Sequence, residues 1–226
     1  MSHLPAASPA IVRSDGTSLI ASGRSLRGRP IMAFHVGSTT TRPVLVFGAI
    51  HGNEPAGIAI ADALLDAHMP AGADVWVVPD LNPDGVARDR RQNGDGIDLN
   101  RNFPYRWSPI AADGPFDYPG PRAASEPETQ FAIRVIRTVR PAITIWFHQH
   151  LRVVDISGGS RAVEARFSQL VGLPLRRLPR YPGSAPTWQN HTFPGTTSFV
   201  VELPAGVLAG PAVARYVRAI IDLTRP

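Results

Sequence analysis

VLVFGAIHGNEPAGIAIADALLDA, residues 44–67, contains the change of period that decides the fold. Val44-Leu45-Val46-Phe47 is a short unbroken apolar run, the pattern of a strand buried on both faces. Pro55 suits the first turn of a helix, where its missing N–H costs nothing. Beyond it Ile60, Leu64 and Ala67 recur at helical spacing, with Ala61 and Leu65 beside them. A strand that gives way to a helix within a few residues is the unit of an α/β domain. The turn between them carries His51 and Glu54.

The alternation extends in both directions. Pro30 to Val36 and Pro43 to Ile50 read as two neighbouring strands across a turn at 37–42, and Asp74 to Val78 as the next strand. Residues 79–124 have few periodic apolar residues and much Gly, Pro, Asp and Asn; loops this long in a domain are uncommon and often functional. Ser125 and Glu128 form the pattern of a capping box at a helix start. Phe131, Val135, Ile136 and Val139 are that helix's apolar stripe, and Pro141 stops it. Ile143 to His148 and Thr197 to Leu203 read as strands; Arg161 to Val171 and Pro211 to Leu223 read as helices. The expectation is one α/β domain over 25–226: a three-layer αβα arrangement with a mixed, mostly parallel twisted sheet. Residues 1–24, rich in Ser, Ala, Gly and Arg, are expected to be a loose lead-in.

The 226 residues suffice for one sizeable core. There is no cysteine, so disulfides and thiolate metal sites are excluded and any metal must be held by His, Asp or Glu. The net charge is +5 and every basic side chain is Arg, which fits a GC-rich coding sequence. The Arg residues are scattered and no nucleic-acid motif is present, so no nucleic-acid partner is expected. No apolar run approaches a membrane span and no signal peptide is visible; a cytoplasmic location is expected if residue 1 is native, a periplasmic or secreted one if the chain has been trimmed. Oligomeric state is not legible.

Ligands of α/β sheets bind beyond the carboxyl ends of strands. His51 and Glu54 follow one such end, three residues apart. Alone they are a weak signal, since a Glu in a first helical turn is favoured by the helix dipole anyway. His148 ends the strand Ile143–Phe147 and completes a His₂Glu set, the ligand type of catalytic zinc. His150, two residues on, shares its strand face and is the alternative third ligand. Glu202 ends the strand Ser198–Val201, where it is either a rim carboxylate or a general base. IDLNRNFP, residues 97–104, packs Asp98, Asn100, Arg101 and Asn102 into a loop with no evident folding need for them.

With these segments, SLRGRPI (25–31), NPDG (82–85), RQNGDGIDLNRNFP (91–104), SEPETQ (125–130) and VVELP (200–204) stand in one order along the chain. The set resembles the zinc carboxypeptidases of the carboxypeptidase A superfamily, most closely the small bacterial branch that includes murein peptide amidases. The resemblance implies one Zn²⁺ held by His51, Glu54 and His148, with Asp98 orienting His51. It implies Glu202 as the general base and Arg91 as the group that stabilises the developing oxyanion. Asn100 and Arg101 would hold the substrate's free carboxylate, for which the Arg fork is suited.

Other residues receive smaller roles. Arg88 and Arg90 compete with Arg91 but read as surface charges, and Asn102 as a loop support. Asn82 to Gly85 is a turn by composition. His191 and Trp188 are either substrate contacts or loop packing, and His150, if not a ligand, is a pocket wall. Tyr181 lies where digestive carboxypeptidases carry a mobile Tyr, but its spacing to Glu202 does not match. The implied activity is hydrolysis of an amide next to a residue with a free carboxylate, with γ-D-Glu–meso-diaminopimelate as the specific candidate. The alternatives are a general exopeptidase on short peptides, an N-acyl amino-acid deacylase of the aspartoacylase type, and a non-catalytic zinc module. NPDG, NRNFP and SEPETQ point away from the deacylase; Glu202 and Arg91 point away from the module.

Overall fold

The computed structural model describes residues 11–12, 17–40, 42–109 and 114–225. In chain order the elements begin β1 (Ile11–Val12), β2 (Ser18–Arg24), β3 (Pro30–Gly37), β4 (Val44–Phe47), α1 (Ala56–Leu65) and β5 (Asp74–Val78). A one-turn α2 (Pro83–Val86) follows, then α3 (Pro127–Val139), β6 (Ile143–Gln149), β7 (Val153–Asp155) and α4 (Arg161–Val171). The chain closes with β8 (Leu175–Arg176), α5 (Ala185–Thr192), β9 (Thr197–Leu203) and α6 (Gly210–Leu223). The strands form one sheet in the order β1-β2-β3-β5-β4-β6-β9-β7-β8. Its centre, β5-β4-β6-β9, is parallel, while β1, β2 and β3 on one side and the β7–β9 pairing on the other are antiparallel. The sheet is therefore mixed, with parallel pairing concentrated where both faces are covered.

Alternation along the central strands makes three layers. Val44, Val46, Ile145, Phe147, Phe199 and Val201 belong to a core with α1, α4 and α6. Leu45, Phe47, Trp146 and Val200 belong to a second core with α3 and α5. In the second, the Phe47 and Trp146 rings stack with centroids 3.9 Å apart. Ile60 and Leu64 of α1 are fully buried, as their spacing requires, and each such burial stabilises by roughly 1.5–3 kcal/mol.

Four expectations are corrected. β3 and β4 are not neighbours; β5 lies between them and pairs with both, so the 37–42 turn crosses over a strand. The lead-in is not loose over 18–24, because β2 pairs with β3 along its length; residues 1–10 and 13–16 lie outside the described residues. The Ser125–Glu128 capping box does not form. Glu126 is the N-cap of α3, without a side-chain cap bond, and fully buried Glu128 instead accepts from Leu26 N at 2.9 Å and Asn93 Nδ2 at 3.4 Å, tying two loops together. Asn82–Gly85 is not only a turn: Asn82 Oδ1 accepts from Gly85 N at 3.0 Å and caps α2. No helix among the described residues is long and apolar enough to cross a membrane.

Candidate metal centre

Parallel pairing brings the carboxyl ends of β4, β6 and β9 to the same edge of the sheet. His51 and Glu54 leave β4 there, His148 lies in β6, and Glu202 pairs with His148 in register on β9. The turn holding His51 is braced by Asn82, whose Nδ2 donates to the carbonyls of Ile50 (3.1 Å) and Arg91 (3.2 Å). Gly52 is required here: a Cβ at this position would collide with the Gly85 backbone, so any side chain would push the turn off α2.

One atom each from His51, Glu54 and His148 lie within 4.8 Å of one another, and all three residues are buried. Glu54 uses both oxygens: Oε1 is 3.1 Å from His51 Nδ1 and Oε2 is 2.9 Å from His148 Nδ1. Gln149 N also donates to Glu54 Oε2 at 3.2 Å. Behind His51, its Nε2 is 3.0 Å from Asp98 Oδ1. That bond holds the Nε2–H tautomer and turns the Nδ1 lone pair toward Glu54 and His148, the support a metal-ligating His normally has. Two imidazole nitrogens and one carboxylate converging in this way are a donor set that suits a zinc ion.

The charges explain why so many ionisable groups tolerate burial. Burial works against the Glu54 carboxylate, but His51 and His148 outweigh it and hold its pKa far below the usual range. Asp98, fully buried, is driven down in the same way by His51, Arg91 and Arg101. Burial works against protonated His51, yet Glu54 and Asp98 raise its pKa above the ordinary value. Arg91 closes the cluster: Nε and Nη2 reach Asp98 Oδ2 at 3.0 and 2.9 Å, and Nη1 reaches Glu54 Oε1 at 3.1 Å. Nη1 is also 3.1 Å from His51 Nδ1, so a cationic side chain faces the very atoms that would bind a cation.

These residues open into a cleft of about 610 Å³. Asn100, Arg101 and Glu202 line it with the donor cluster. Asn100 Oδ1 accepts from Ala185 N at 2.9 Å. The Arg101 guanidinium is paired to Asp117 at 3.2 Å and lies 3.9 Å over the Tyr181 ring. Glu202 Oε2 accepts from Leu151 N at 3.3 Å. His150 is exposed and lines the cleft wall, outside the donor cluster. Arg88 and Arg90 are exposed. Asn102 Nδ2 ties the loop to Pro119 O, Arg122 O and Ser125 Oγ at 2.8–3.1 Å. Trp188 is packed against Phe103 and Phe193, and His191 stacks on Tyr105 at 3.8 Å; neither lines the cleft.

Several site residues escaped the sequence reading. Gln149 links Glu54 to the loop after β9 by donating from Nε2 to Pro204 O and Gly206 O, both at 2.9 Å. Asp117 balances Arg101 and approaches Arg91 at 3.7 Å. Asp155, Ser157 and Arg180 line the far wall. Asp117 ends a single 3₁₀ turn (Gly114–Asp117) and Asp155 a three-residue strand, both too short to carry a period, so no pattern marks them.

The model of the zinc carboxypeptidase family matches residues 10–163. The chain belongs to the zinc carboxypeptidase family. This zinc carboxypeptidase is 32% identical over 179 residues to murein peptide amidase A of Escherichia coli strain K12, covering 74% of each chain. It is 29% identical over 214 residues to murein peptide amidase A of Vibrio campbellii, covering 89% of this chain and 85% of that one. Among solved structures it resembles the murein-tripeptide amidase of Escherichia coli O157, with a TM-score of 0.72, 28% identity, and coverage of 97% and 98%. Carboxypeptidase A of Helicoverpa armigera shares the fold, with a TM-score of 0.73 at 19% identity over 91% of this chain and 68% of that one. By family and by these relatives the chain is a hydrolase, a metallocarboxypeptidase or amidase of zinc-dependent type.

Proposed function

We propose that this hydrolase binds one Zn²⁺ through His51, Glu54 and His148 and cleaves the amide bond preceding a residue with a free carboxylate. Its substrate is a murein peptide, as the names of its relatives say of them, and the bond cut is that between γ-D-Glu and meso-diaminopimelate. The observation that carries this reading is the in-register pairing of His148 with Glu202, which sets a carboxylate beside the donor cluster in the cleft that Arg91 and Arg101 also line.

Zinc, when bound, lowers the pKa of water and polarises the scissile carbonyl. Glu202 accepts the proton of the attacking water as the C–O bond forms. Arg91 donates to the oxygen that gains charge as the carbonyl becomes tetrahedral. Glu202 then passes its proton to the leaving nitrogen as the C–N bond breaks, releasing a carboxylic acid on one side and an amine on the other. Asn100 and Arg101 hold the leaving residue's carboxylate and so fix the register of the bond. Asp98 holds the proton of the neutral His51 ring on Nε2 and so turns Nδ1 toward the site.

The test is product analysis by mass spectrometry. Zinc-loaded protein is incubated with L-Ala-γ-D-Glu-meso-diaminopimelate, with Glu202→Gln as control. Free diaminopimelate from the wild type alone supports the reading. Absence of release, with zinc bound, overturns the murein substrate.

A further inference from the structure

Besides Arg91 and Arg101, the cleft contains a third anchored guanidinium, for which the reaction above has no use. Arg180 lines it on the wall formed by β7 and the loop after β8. Its Nη1 donates to Asp155 Oδ2 at 2.7 Å and its Nη2 to the Ile156 carbonyl. Asp155 is 2% exposed, and its carboxylate accepts from three groups, Arg180 among them. Oδ1 accepts from Leu178 N at 2.8 Å, and Oδ2 also accepts from Ser157 Oγ at 2.6 Å. The buried carboxylate therefore serves to hold the guanidinium. The Arg180 side chain remains 34% exposed, and these bonds use only part of its five donors.

The register locates this pair relative to the chemistry. Val153 on β7 pairs with Glu202 and Val154 with Val201, so Asp155 continues beside Val200. Asp155 therefore shares the sheet face of Glu202 and His148, two residues deeper along β9, or about 7 Å from Glu202. Ser157, Ser184 and Thr187 complete a polar wall around it. A long side chain ending in a carboxylate meets a pre-oriented fork.

Resting on the peptide-hydrolase reading, we infer that Arg180, held by Asp155, is the specificity residue for a carboxylate at the end of the leaving residue's side chain. Arg101 takes the carboxylate next to the cleaved bond, and Arg180 takes the distal one. The leaving residue is then a dicarboxylic amino acid with a long side chain, a description that meso-diaminopimelate meets and lysine does not.

The test compares kcat/KM for L-Ala-γ-D-Glu-meso-diaminopimelate and L-Ala-γ-D-Glu-L-Lys, which differ by the distal carboxylate. The wild type is expected to favour the first by about 10- to 100-fold, the effect of one charge-assisted hydrogen-bonded pair. Arg180→Gln collapses the ratio to within about threefold, and Arg180→Lys, which keeps the charge but not the fork, falls between. A wild-type ratio near one, or an unchanged ratio in Arg180→Gln, overturns the inference. Cleavage of neither tripeptide sinks the murein reading alone. The same ratio is then taken on benzoylglycyl dipeptides ending in L-2-aminoadipate and L-Lys. A preference for aminoadipate that is lost in Arg180→Gln sustains the role of Arg180, and no preference, or no cleavage of any of the four, overturns it.

Discussion

Asp98→Asn perturbs the centre without touching a proposed ligand. Asp98 is fully buried and accepts from His51 Nε2, Arg91 Nε and Nη2, and Asn100 N, all at 2.8–3.0 Å. Asparagine has the same shape. Its oxygen can keep the bonds from His51 and Asn100, but its NH₂ then faces the Arg91 guanidinium, donor against donor. The imidazole loses the negative charge behind it and becomes a weaker base. Losses of such support weaken metal binding by about 10- to 100-fold, or about 1.4–2.7 kcal/mol. The pH dependence sharpens the prediction. Burial opposes protonation of His51, but Glu54 and Asp98 raise its pKa above the ordinary value, so zinc must displace a proton from it. Removing the Asp98 charge lowers that pKa and eases the competition. The wild-type advantage is therefore greatest above the raised pKa of His51, where the ring is neutral in both proteins, and narrows below it. Competition against a chromophoric chelator across about pH 6 to 9 measures both effects. Equal affinity at every pH, or an advantage that widens toward acid, would refute the role of Asp98.

Other perturbations separate the remaining roles. Arg91→Met is expected to lower kcat by about 10²- to 10³-fold without weakening zinc binding, because the Nη1 it removes lies 3.1 Å from both His51 Nδ1 and Glu54 Oε1; steady-state kinetics with metal analysis would expose the opposite pattern, metal loss with kcat retained. His148→Ala should lose stoichiometric zinc and His150→Ala keep it, by elemental analysis after dialysis; the reverse would make His150 the ligand. Burial, with help from Asp84 and Asp62 and against a bond from Asn82 N, pushes the Asp80 carboxyl up to about 7. A raised acid contributes stability that is complete below its unfolded value near 3.9 and is lost as pH rises through about 7, an upper bound of about 4 kcal/mol. Urea unfolding from pH 4 to 8 should show that decline flattened in Asp80→Asn; an identical slope in the two proteins would remove Asp80 from the account.

What the sequence disclosed follows the range over which its signals act. Long periodic segments such as 127–139 and 197–203 were readable because burial of one stripe, or of both faces, imposes a pattern over many residues. α5 was not, since APTWQNHT has eight residues and only a few apolar ones. β7 and β8 were too short to carry a period. Adjacency was harder still: nothing in residues 30–50 says that β5, from beyond α1, will come between β3 and β4. The capping box failed for a tertiary reason, since Glu128 is needed by Leu26 N and Asn93 rather than by its own helix.

The site divides in the same way. His51, Glu54, His148 and Glu202 were legible because strand ends place them and the motifs repeat a family pattern. The fold brings all four to one edge of the sheet, and Arg91, Asp98, Asn100 and Arg101 join them from the long loop. Asp117, Gln149, Asp155 and Arg180 act through contacts made across the cleft with residues distant in sequence. Their chemistry is ordinary in isolation and acquires meaning only from placement, so a single chain read by period and motif passes over them.

The position of one bound ion decides most directly whether His51, Glu54 and His148 are the ligands. A crystal of the zinc-loaded protein, with anomalous data across the zinc edge, is expected to show a single strong peak about 2.0–2.2 Å from His51 Nδ1, His148 Nδ1 and a Glu54 oxygen. Arg91 should have withdrawn from His51 Nδ1, and Glu202 should lie beside the ion without coordinating it. A peak held by His150, or by Glu202 in place of Glu54, or no peak at the cluster at all, would contradict the account.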